Sequence, residues 1–332
     1  MLVNDSAMRR SPLISAHSGA PMVEVERLVK RYRGAQRNAV DDISFDVGAG
    51  EFFALLGPNG AGKSTTVSIL TTTLAPTSGH VRIAGLDLRA DPAAVRHRIG
   101  IIFQNPSLDM NLTGEENIRL HAIMYGLYPY RPTYRLMPAR YRQQISETAA
   151  VLGMESNLFQ PVRKLSGGMR RKLEIIRALM HQPQALFLDE PTTGLDVASR
   201  RSLWAYLSEI RQRSETTIIL TTHYLDEAEA ADRILILDHG QVVARGAPAD
   251  IKAQVSAESL ELNATDRAAL TRELVALGVP FEELGESGPL RVPLTSASSV
   301  QQLVQSITTP LTHLQTHQAS LEEVYLRILA NE

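Results

Sequence analysis

The chain has 332 residues, and its 34 Lys and Arg against 36 Asp and Glu give a formal net charge of −2. This near-neutral balance argues against a protein that binds nucleic acid through a basic surface. Cysteine is absent, which excludes disulfides, zinc-thiolate sites and thiol nucleophiles. The length predicts about two domains, and no run of 18 apolar residues predicts a membrane span.

Residues 1–21 contain basic residues but no apolar run of signal-peptide length, so we expect a disordered N-terminal tail. From 22 to 250, β-rich runs alternate with helical stretches, which predicts an α/β domain with a mostly parallel sheet. Its apolar strand candidates are 52–56, 185–188, 217–220 and 234–237. Segments 23–28 and 43–47 instead alternate between apolar and polar residues, as half-buried antiparallel strands do. A turn at 238–240 predicts a hairpin.

Two further regions differ from this pattern. Residues from about 105 to 180 carry almost no strand signals, which predicts a helical subdomain. Residues 251–332 follow the turn-forming segment 246–248 and combine three alternating strands with three helices. We therefore predict a small C-terminal α+β accessory domain, with strands at 259–263, 290–294 and 311–317 and helices at 266–277, 299–307 and 321–329.

Residues 57–65 match the phosphate-binding pattern G-x-x-x-x-G-K-[ST] between a strand and a helix. Its glycines let backbone N–H groups surround phosphates, and the following helix N-terminus adds its dipole. We expect Lys63 to reach the β- and γ-phosphates and the Ser64 hydroxyl to bind Mg²⁺. The predicted nucleotide-binding residues here are Gly57, Pro58, Asn59, Gly60, Ala61, Gly62, Lys63, Ser64 and Thr65.

A second candidate is the apolar strand that ends in Asp189 and Glu190. The C-terminal edge of a parallel sheet is where α/β proteins bind ligands, and Asp189 there would hold Mg²⁺ through water. Glu190 would orient or deprotonate the attacking water. A strand ending in two carboxylates is weak evidence alone, and it becomes strong behind a phosphate-binding loop.

Ser166, Gly167 and Gly168 precede a helix and form a possible second anion site. In isolation, a serine N-cap followed by flexible glycines would explain them equally well.

The order of these motifs decides between the two interpretations. In the order of its motifs, the chain resembles the nucleotide-binding subunit of ABC transporters. These motifs are the phosphate-binding loop, Gln104 after a strand, the Ser166 motif, the 185–190 strand, Asp196 and His223. The resemblance covers about residues 22–250. It implies a P-loop NTPase (RecA-like) core with an antiparallel β subdomain and a helical signature subdomain.

The resemblance also implies roles for single residues. Tyr32 resembles the aromatic residue that stacks on adenine, although packing explains a lone Tyr equally well. Gln104 resembles the residue that touches Mg²⁺ or water and senses the membrane partner. Asp196 resembles the aspartate of the loop after the catalytic strand, and His223 resembles the switch histidine near the γ-phosphate. Catalysis would then involve Glu190, His223, Gln104 and Lys63, with Ser64, Gln104 and Asp189 around the metal.

Met169 stands where many relatives have Gln, and two arginines follow it. This feature and the terminal segment 321–326 are similar to the daunorubicin-resistance exporter ATPases. The resemblance implies an ATP-hydrolysing, Mg²⁺-dependent subunit that dimerises with a second copy of itself. It would drive a separate integral-membrane permease from the cytoplasmic face of a bacterial membrane and export a drug-like, lipid or polysaccharide substrate.

Two other function classes were weighed. Translation factors and DNA-repair ATPases of this family usually carry two cassettes, a coiled-coil insertion or zinc-binding cysteines, and this chain shows none of these. A kinase or GTPase would have no use for the Ser166 motif.

Segment 125–142 holds five of the nine tyrosines, interleaved with four arginines. It predicts either a contact surface for the membrane partner or lipid head groups, or a proline-broken loop in which tyrosines serve packing.

Overall fold

The computed structural model describes residues 20–104, 107–255, 259–285, 288–294, 297–317 and 320–330. The predicted disordered tail lies outside the described residues, apart from its last two positions. The strands are β1 Val23–Lys30, β2 Val40–Val47, β3 Phe52–Leu56, β4 Ser78–Ile83, β5 Leu86–Asp87, β6 Ile99–Ile102, β7 Ala185–Asp189, β8 Thr217–Thr221, β9 Arg233–Asp238, β10 Gln241–Gly246, β11 Ser259–Ala264, β12 Glu282–Glu283, β13 Leu290–Pro293 and β14 Leu311–His317. The helices are α1 Lys63–Leu70, α2 Pro92–Arg98, α3 Gly114–Met124, α4 Ala139–Val151, α5 Gly167–Leu179, α6 Val197–Ser214, α7 Leu225–Glu229, α8 Pro248–Val255, α9 Arg267–Ala276, α10 Ala297–Ser306 and α11 Leu321–Ala330.

The central sheet has the order β10-β9-β3-β8-β7-β6, and its pairs are parallel except for β9 with β10. Strands β3 and β8 are buried at every position. A parallel sheet covered on both faces requires such continuous apolar strands, which is why the sequence reveals them. The β9–β10 hairpin turns at His239 and Gly240, both with positive φ, as a tight hairpin requires. The predicted α/β fold class is confirmed.

A second, antiparallel sheet has the order β2-β1-β4-β5. Its apolar face packs on the central sheet, and the rings of Phe45 and Phe53 stack with centroids 5.5 Å apart. The alternating pattern predicted β1 and β2 correctly. Strands β4 and β5 and helix α2 were not predicted.

The middle of the chain folds into α3, α4 and α5, which confirms the predicted helical character. Helix α3 begins at a capping box in which Thr113 and Glu116 satisfy each other's backbone N–H groups. Tyr141 is fully buried in this layer and contacts the rings of Tyr128 and Tyr134. Tyr130 is 65% exposed, but most tyrosines of segment 125–142 pack inward. Packing therefore accounts for them, while the four arginines of the segment stay on the surface.

The C-terminal region forms a third sheet with the order β12-β13-β11-β14. It has its own apolar core with α9 and α10. Helix α11 leaves this core and packs against α7 and α8, where Leu321 and Val324 are buried together with Ile251. The division at residue 251 stays a prediction, since the last helix covers part of the first 250 residues. None of the described helices is long and apolar enough to cross a membrane.

Candidate nucleotide site

The phosphate-binding loop joins β3 to α1 at the C-terminal edge of the central sheet. Helix α1 begins after Gly62, whose left-handed backbone offers no side-chain cap, so its first N–H groups are available to a ligand. The Lys63 Nζ donates to the carbonyls of Gly57 (2.7 Å) and Pro58 (3.0 Å). Burial lowers the pKa of Lys63, while Glu190 and Asp189 act in the opposite direction. The loop thus presents a buried cation and free helix N–H groups, the donor set that a polyphosphate requires.

Two glycines of this loop are required for steric reasons. A Cβ on Gly57 would lie 2.2 Å from the Leu237 carbonyl oxygen, and one on Gly62 would lie 2.4 Å from that of Ala39. Both residues have positive φ, which an L side chain rarely adopts. The loop can therefore seat against the neighbouring strands only with glycine at these positions.

Asp189 lies at the end of β7, facing the start of α1. Its Oδ1 is 3.4 Å from the Ser64 hydroxyl, and it accepts a hydrogen bond from the Thr221 hydroxyl on β8. A hydroxyl and a carboxylate on one side of a phosphate site are the hard oxygen ligands that Mg²⁺ prefers. The residues present thus fit a magnesium ion held by Ser64 and Asp189.

Glu190 is the centre of a polar cluster. It has a positive φ of 46°, and its backbone N–H donates to the Thr221 carbonyl at 3.0 Å. Its carboxylate accepts from Gln104 Nε2 (3.0 Å) and from the Thr193 hydroxyl (3.3 Å), and His223 Nδ1 lies 3.4 Å away. The structure therefore brings together Glu190, Gln104 and His223, which lie far apart in the sequence.

A buried carboxylate behind this cluster joins two loops. Glu227 on α7 accepts hydrogen bonds from the hydroxyls of Thr192, next to the Glu190 loop, and Thr222, next to His223. Sequence reasoning missed Glu227, Thr221 and Thr193. Threonines in a strand or loop carry no distinctive pattern, and the β7–β8 neighbourhood that gives them partners is set by sheet order.

Tyr32 follows β1 and lies beside the phosphate-binding loop. Its hydroxyl is 3.3 Å from that of Thr65, the ring is 46% exposed, and the Lys30 ammonium lies 5.5 Å from the ring centroid. The adenine-stacking role that the resemblance implies for Tyr32 stays a prediction.

Ser166 and Asp196 occupy helix N-termini. Ser166 caps α5 by accepting from the Met169 N–H at 3.3 Å, and Ser166 and Gly167 are exposed. Asp196 caps α6 through the Ser199 N–H at 2.8 Å. Within the described ranges, no hydrogen bond joins the α5 N-terminus or Asp196 to the phosphate-binding loop of the same chain. The Ser166 motif and Asp196 therefore stand apart from the other predicted groups.

Comparisons with known proteins agree with this geometry. The family model described as ABC transporter matches residues 40–193. The chain is 37% identical to the daunorubicin/doxorubicin resistance ATP-binding protein of Streptomyces peucetius, over 92% of each chain. It is 33% identical to the Nod factor export ATP-binding protein of Ralstonia nicotianae, over 94% of this chain and 95% of that protein.

A solved structure extends the comparison to a dimer. The dimeric post-hydrolysis state of an ATP-binding cassette, bound to ADP and Pi, matches with a TM-score of 0.61 and 26% identity, over 68% of this chain and 98% of that chain. Sequence and structure therefore agree that the chain belongs to the ATP-binding subunits of ABC transporters, a family of ATPases that includes the daunorubicin-resistance proteins to which it is similar.

Proposed function

We propose that two copies of this chain enclose two Mg-ATP, each held between the phosphate-binding loop of one copy and the Ser166 motif of the other. The observation that carries this proposal is the separation described above: Lys63, Gln104, Glu190 and His223 converge, whereas Ser166 faces outward on another helix. An exposed helix N-terminus with a hydroxyl beside it is suited to binding an anion. The γ-phosphate of the other copy's nucleotide would supply that charge.

The residues that lie together at this site would each have a separate role in hydrolysis. Lys63 and the loop N–H groups bind the β- and γ-phosphates, and Glu190 takes the proton of the attacking water. Gln104 and His223 orient Glu190 and the water, since both lie within 3.4 Å of its carboxylate. Ser64 and Asp189, together with Gln104, would hold Mg²⁺, which would neutralise charge on the phosphates. Loss of the γ-phosphate removes the charge that joins the two copies, so the dimer opens after each turnover.

The work done by this cycle would be export through a separate integral-membrane permease at the cytoplasmic face of a bacterial membrane. Support comes from the two relatives whose names refer to drug resistance and to Nod factor export. We infer a drug-like, lipid or polysaccharide substrate, whose selection would reside in the permease. The first test is whether the neighbouring reading frame encodes a six-helix permease. Co-purification of that permease with this chain, followed by a screen for ligand-stimulated ATPase activity, tests the rest.

The shared site is tested with two inactive variants. Lys63→Ala weakens ATP binding in its own chain, whereas Ser166→Arg blocks the nucleotide of the partner. Neither variant alone can form a complete site, but a mixed dimer contains one. We expect ATPase activity to reappear on mixing, up to about a quarter of the wild-type value if subunits pair at random and one site is sufficient.

The control mixes Lys63→Ala with the double variant Lys63→Ala/Ser166→Arg, which offers no complete site in any pairing. Activity close to wild type in Ser166→Arg alone would show that the Ser166 motif has no part in hydrolysis.

A further inference from the structure

A buried ion pair on α5 lies directly behind the catalytic cluster. Arg171 and Glu174 stand one turn apart and are 6% and 1% exposed, with Nη1 and Oε2 3.1 Å apart. Burying two charges is costly unless additional hydrogen bonds satisfy them. The partners that supply those bonds are therefore informative.

The Arg171 guanidinium donates to backbone carbonyls that flank both catalytic side chains. It reaches the Phe103 carbonyl, just before Gln104, and the carbonyls of Asp189 (3.2 Å) and Pro191 (2.8 Å), on either side of Glu190. One planar group thus fixes the backbone beneath the Gln104–Glu190 hydrogen bond. No other side chain of the described residues is seen to bond the carbonyls on both sides of Glu190.

Glu174 holds the far side of the Gln104 loop. Its Oε1 accepts from the Ser107 backbone N–H at 2.8 Å, while Arg177 on the same helix donates to the Ser107 carbonyl at 2.6 Å. Residues on both sides of Gln104 are therefore tied to α5. Any movement of α5 relative to the central sheet must move Gln104 or break these bonds.

Helix α5 is the helix that Ser166 caps, and Arg171 follows Ser166 by little more than one turn. We propose that Arg171, supported by Glu174, is a positioning residue that sets Gln104 and Glu190 of its own chain from the position of the helix that covers the partner's nucleotide. This inference rests on the two-copy arrangement proposed above. It assigns to Arg171 a role in its own chain's hydrolysis that is distinct from the role of Ser166 in the partner's site.

The mixed dimer separates these two roles. Its single complete site takes Gln104 and Glu190 from the Ser166→Arg chain and the serine from the Lys63→Ala chain. Arg171→Gln is placed either in the Ser166→Arg chain, beside the working Glu190, or in the Lys63→Ala chain. We expect a fall in kcat on the order of 10- to 100-fold in the first arrangement, and less than about twofold in the second, with the KM for ATP little changed in both.

Lys172→Gln is the matched control, because Lys172 neighbours Arg171 but donates to Leu152, away from the catalytic loops. It should leave kcat within about twofold of the parent in either chain. Arg171→Lys keeps the charge but loses the planar, forked set of guanidinium N–H donors. It should therefore recover only part of the kcat that Arg171→Gln loses.

Each outcome decides a different question. If mixing restores no activity even with Arg171 intact, the two-copy proposal fails. If mixing restores activity but Arg171→Gln and Arg171→Lys lower it equally in both arrangements, Arg171 merely stabilises the helix, and the positioning role is wrong. If kcat falls only when Arg171→Gln is placed in the Lys63→Ala chain, Arg171 belongs to the partner's site instead.

Discussion

Glu190, the general base that we propose, has a strained backbone conformation. A positive φ in a non-glycine residue costs on the order of 1–3 kcal/mol and persists only where its surroundings impose it. Here the backbone N–H is fixed to Thr221, and the carboxylate meets Gln104, Thr193 and His223. The left-handed turn directs the side chain out of the strand and toward these partners.

Glu190→Gln should therefore retain ATP binding but lose turnover. The amide keeps the shape of the side chain but cannot accept the proton of water, and loss of a placed base typically lowers the rate on the order of 10²–10⁴-fold. Binding of a fluorescent ATP analogue and steady-state ATPase measurements check the two halves. Hydrolysis at near wild-type rate would remove Glu190 from this role.

Sequence reasoning identified the residues whose motifs are local. Gly57 to Thr65 form one contiguous loop, and Asp189 and Glu190 end one apolar strand. The contacts between them depend on which strands are neighbours, and the placement of β8 between β3 and β7 is not encoded in any short segment. The Thr221–Asp189 and Glu227–Thr192 bonds could not be predicted for this reason.

Among the elements, α9 is joined to the turn before β14 through one carboxylate. Glu273 accepts from the hydroxyls and N–H groups of Thr308 and Thr309, at 2.6–3.1 Å, in the turn that leads into β14. These bonds, from Thr308 above all, lower the pKa of Glu273 from 4.5 to about 2. The ionised form is thus favoured by folding.

A carboxylate whose pKa is lower in the folded state stabilises the fold above its unfolded pKa, and the stabilisation disappears as pH falls toward the folded value. Glu273→Gln should lower the urea midpoint of the full chain at pH 7, and the difference in midpoint between variant and wild type should narrow as the pH falls from 4.5 to 2. Circular dichroism at several pH values measures this. The control is Glu282→Gln, because Glu282 is an exposed carboxylate on β12. If the difference in midpoint between Glu273→Gln and wild type stays constant from pH 4.5 to 2, the prediction is wrong.

Element prediction succeeded where burial leaves a strong pattern. The continuous apolar strands of the central sheet and the alternating β1 and β2 were found, whereas β4 was missed because only Val81 and Ile83 of its six residues are buried. Strand β5 has two residues and α7 five, too few for any period to be read.

In the whole molecule, α11 joins two regions that were predicted to be separate. Leu321 and Val324 pack on the face formed by α7 and α8. At the start of the same helix, Glu323 pairs with Arg291 and His317 of the accessory sheet, at 3.4 and 3.0 Å. The helix is therefore attached to the accessory sheet through polar contacts and to α7 and α8 through apolar contacts.

Deleting 251–332 should leave ATP binding intact, because every residue assigned to the nucleotide site precedes 224. The same deletion should lower the melting temperature, since the surface of α7 loses its apolar cover. Leu321→Ala in the full chain should reproduce part of this destabilisation. We expect it to lower the free energy of unfolding by about 2–5 kcal/mol, as for other buried leucines. Calorimetry and nucleotide titration of both proteins check this, and a folded truncated chain that fails to bind ATP would show that the accessory domain belongs to the site.

The position of α11 also has a consequence for biosynthesis. Chains fold from the N-terminus as they leave the ribosome, yet the helix that covers α7 and α8 is synthesised only after the whole accessory sheet. Until then the apolar face around Ala228 and Ile251 stays open to water and to other chains. If the cassette binds nucleotide before this face is closed, as the truncation experiment tests, the ligand would stabilise the nascent protein during the interval in which it is most prone to aggregate.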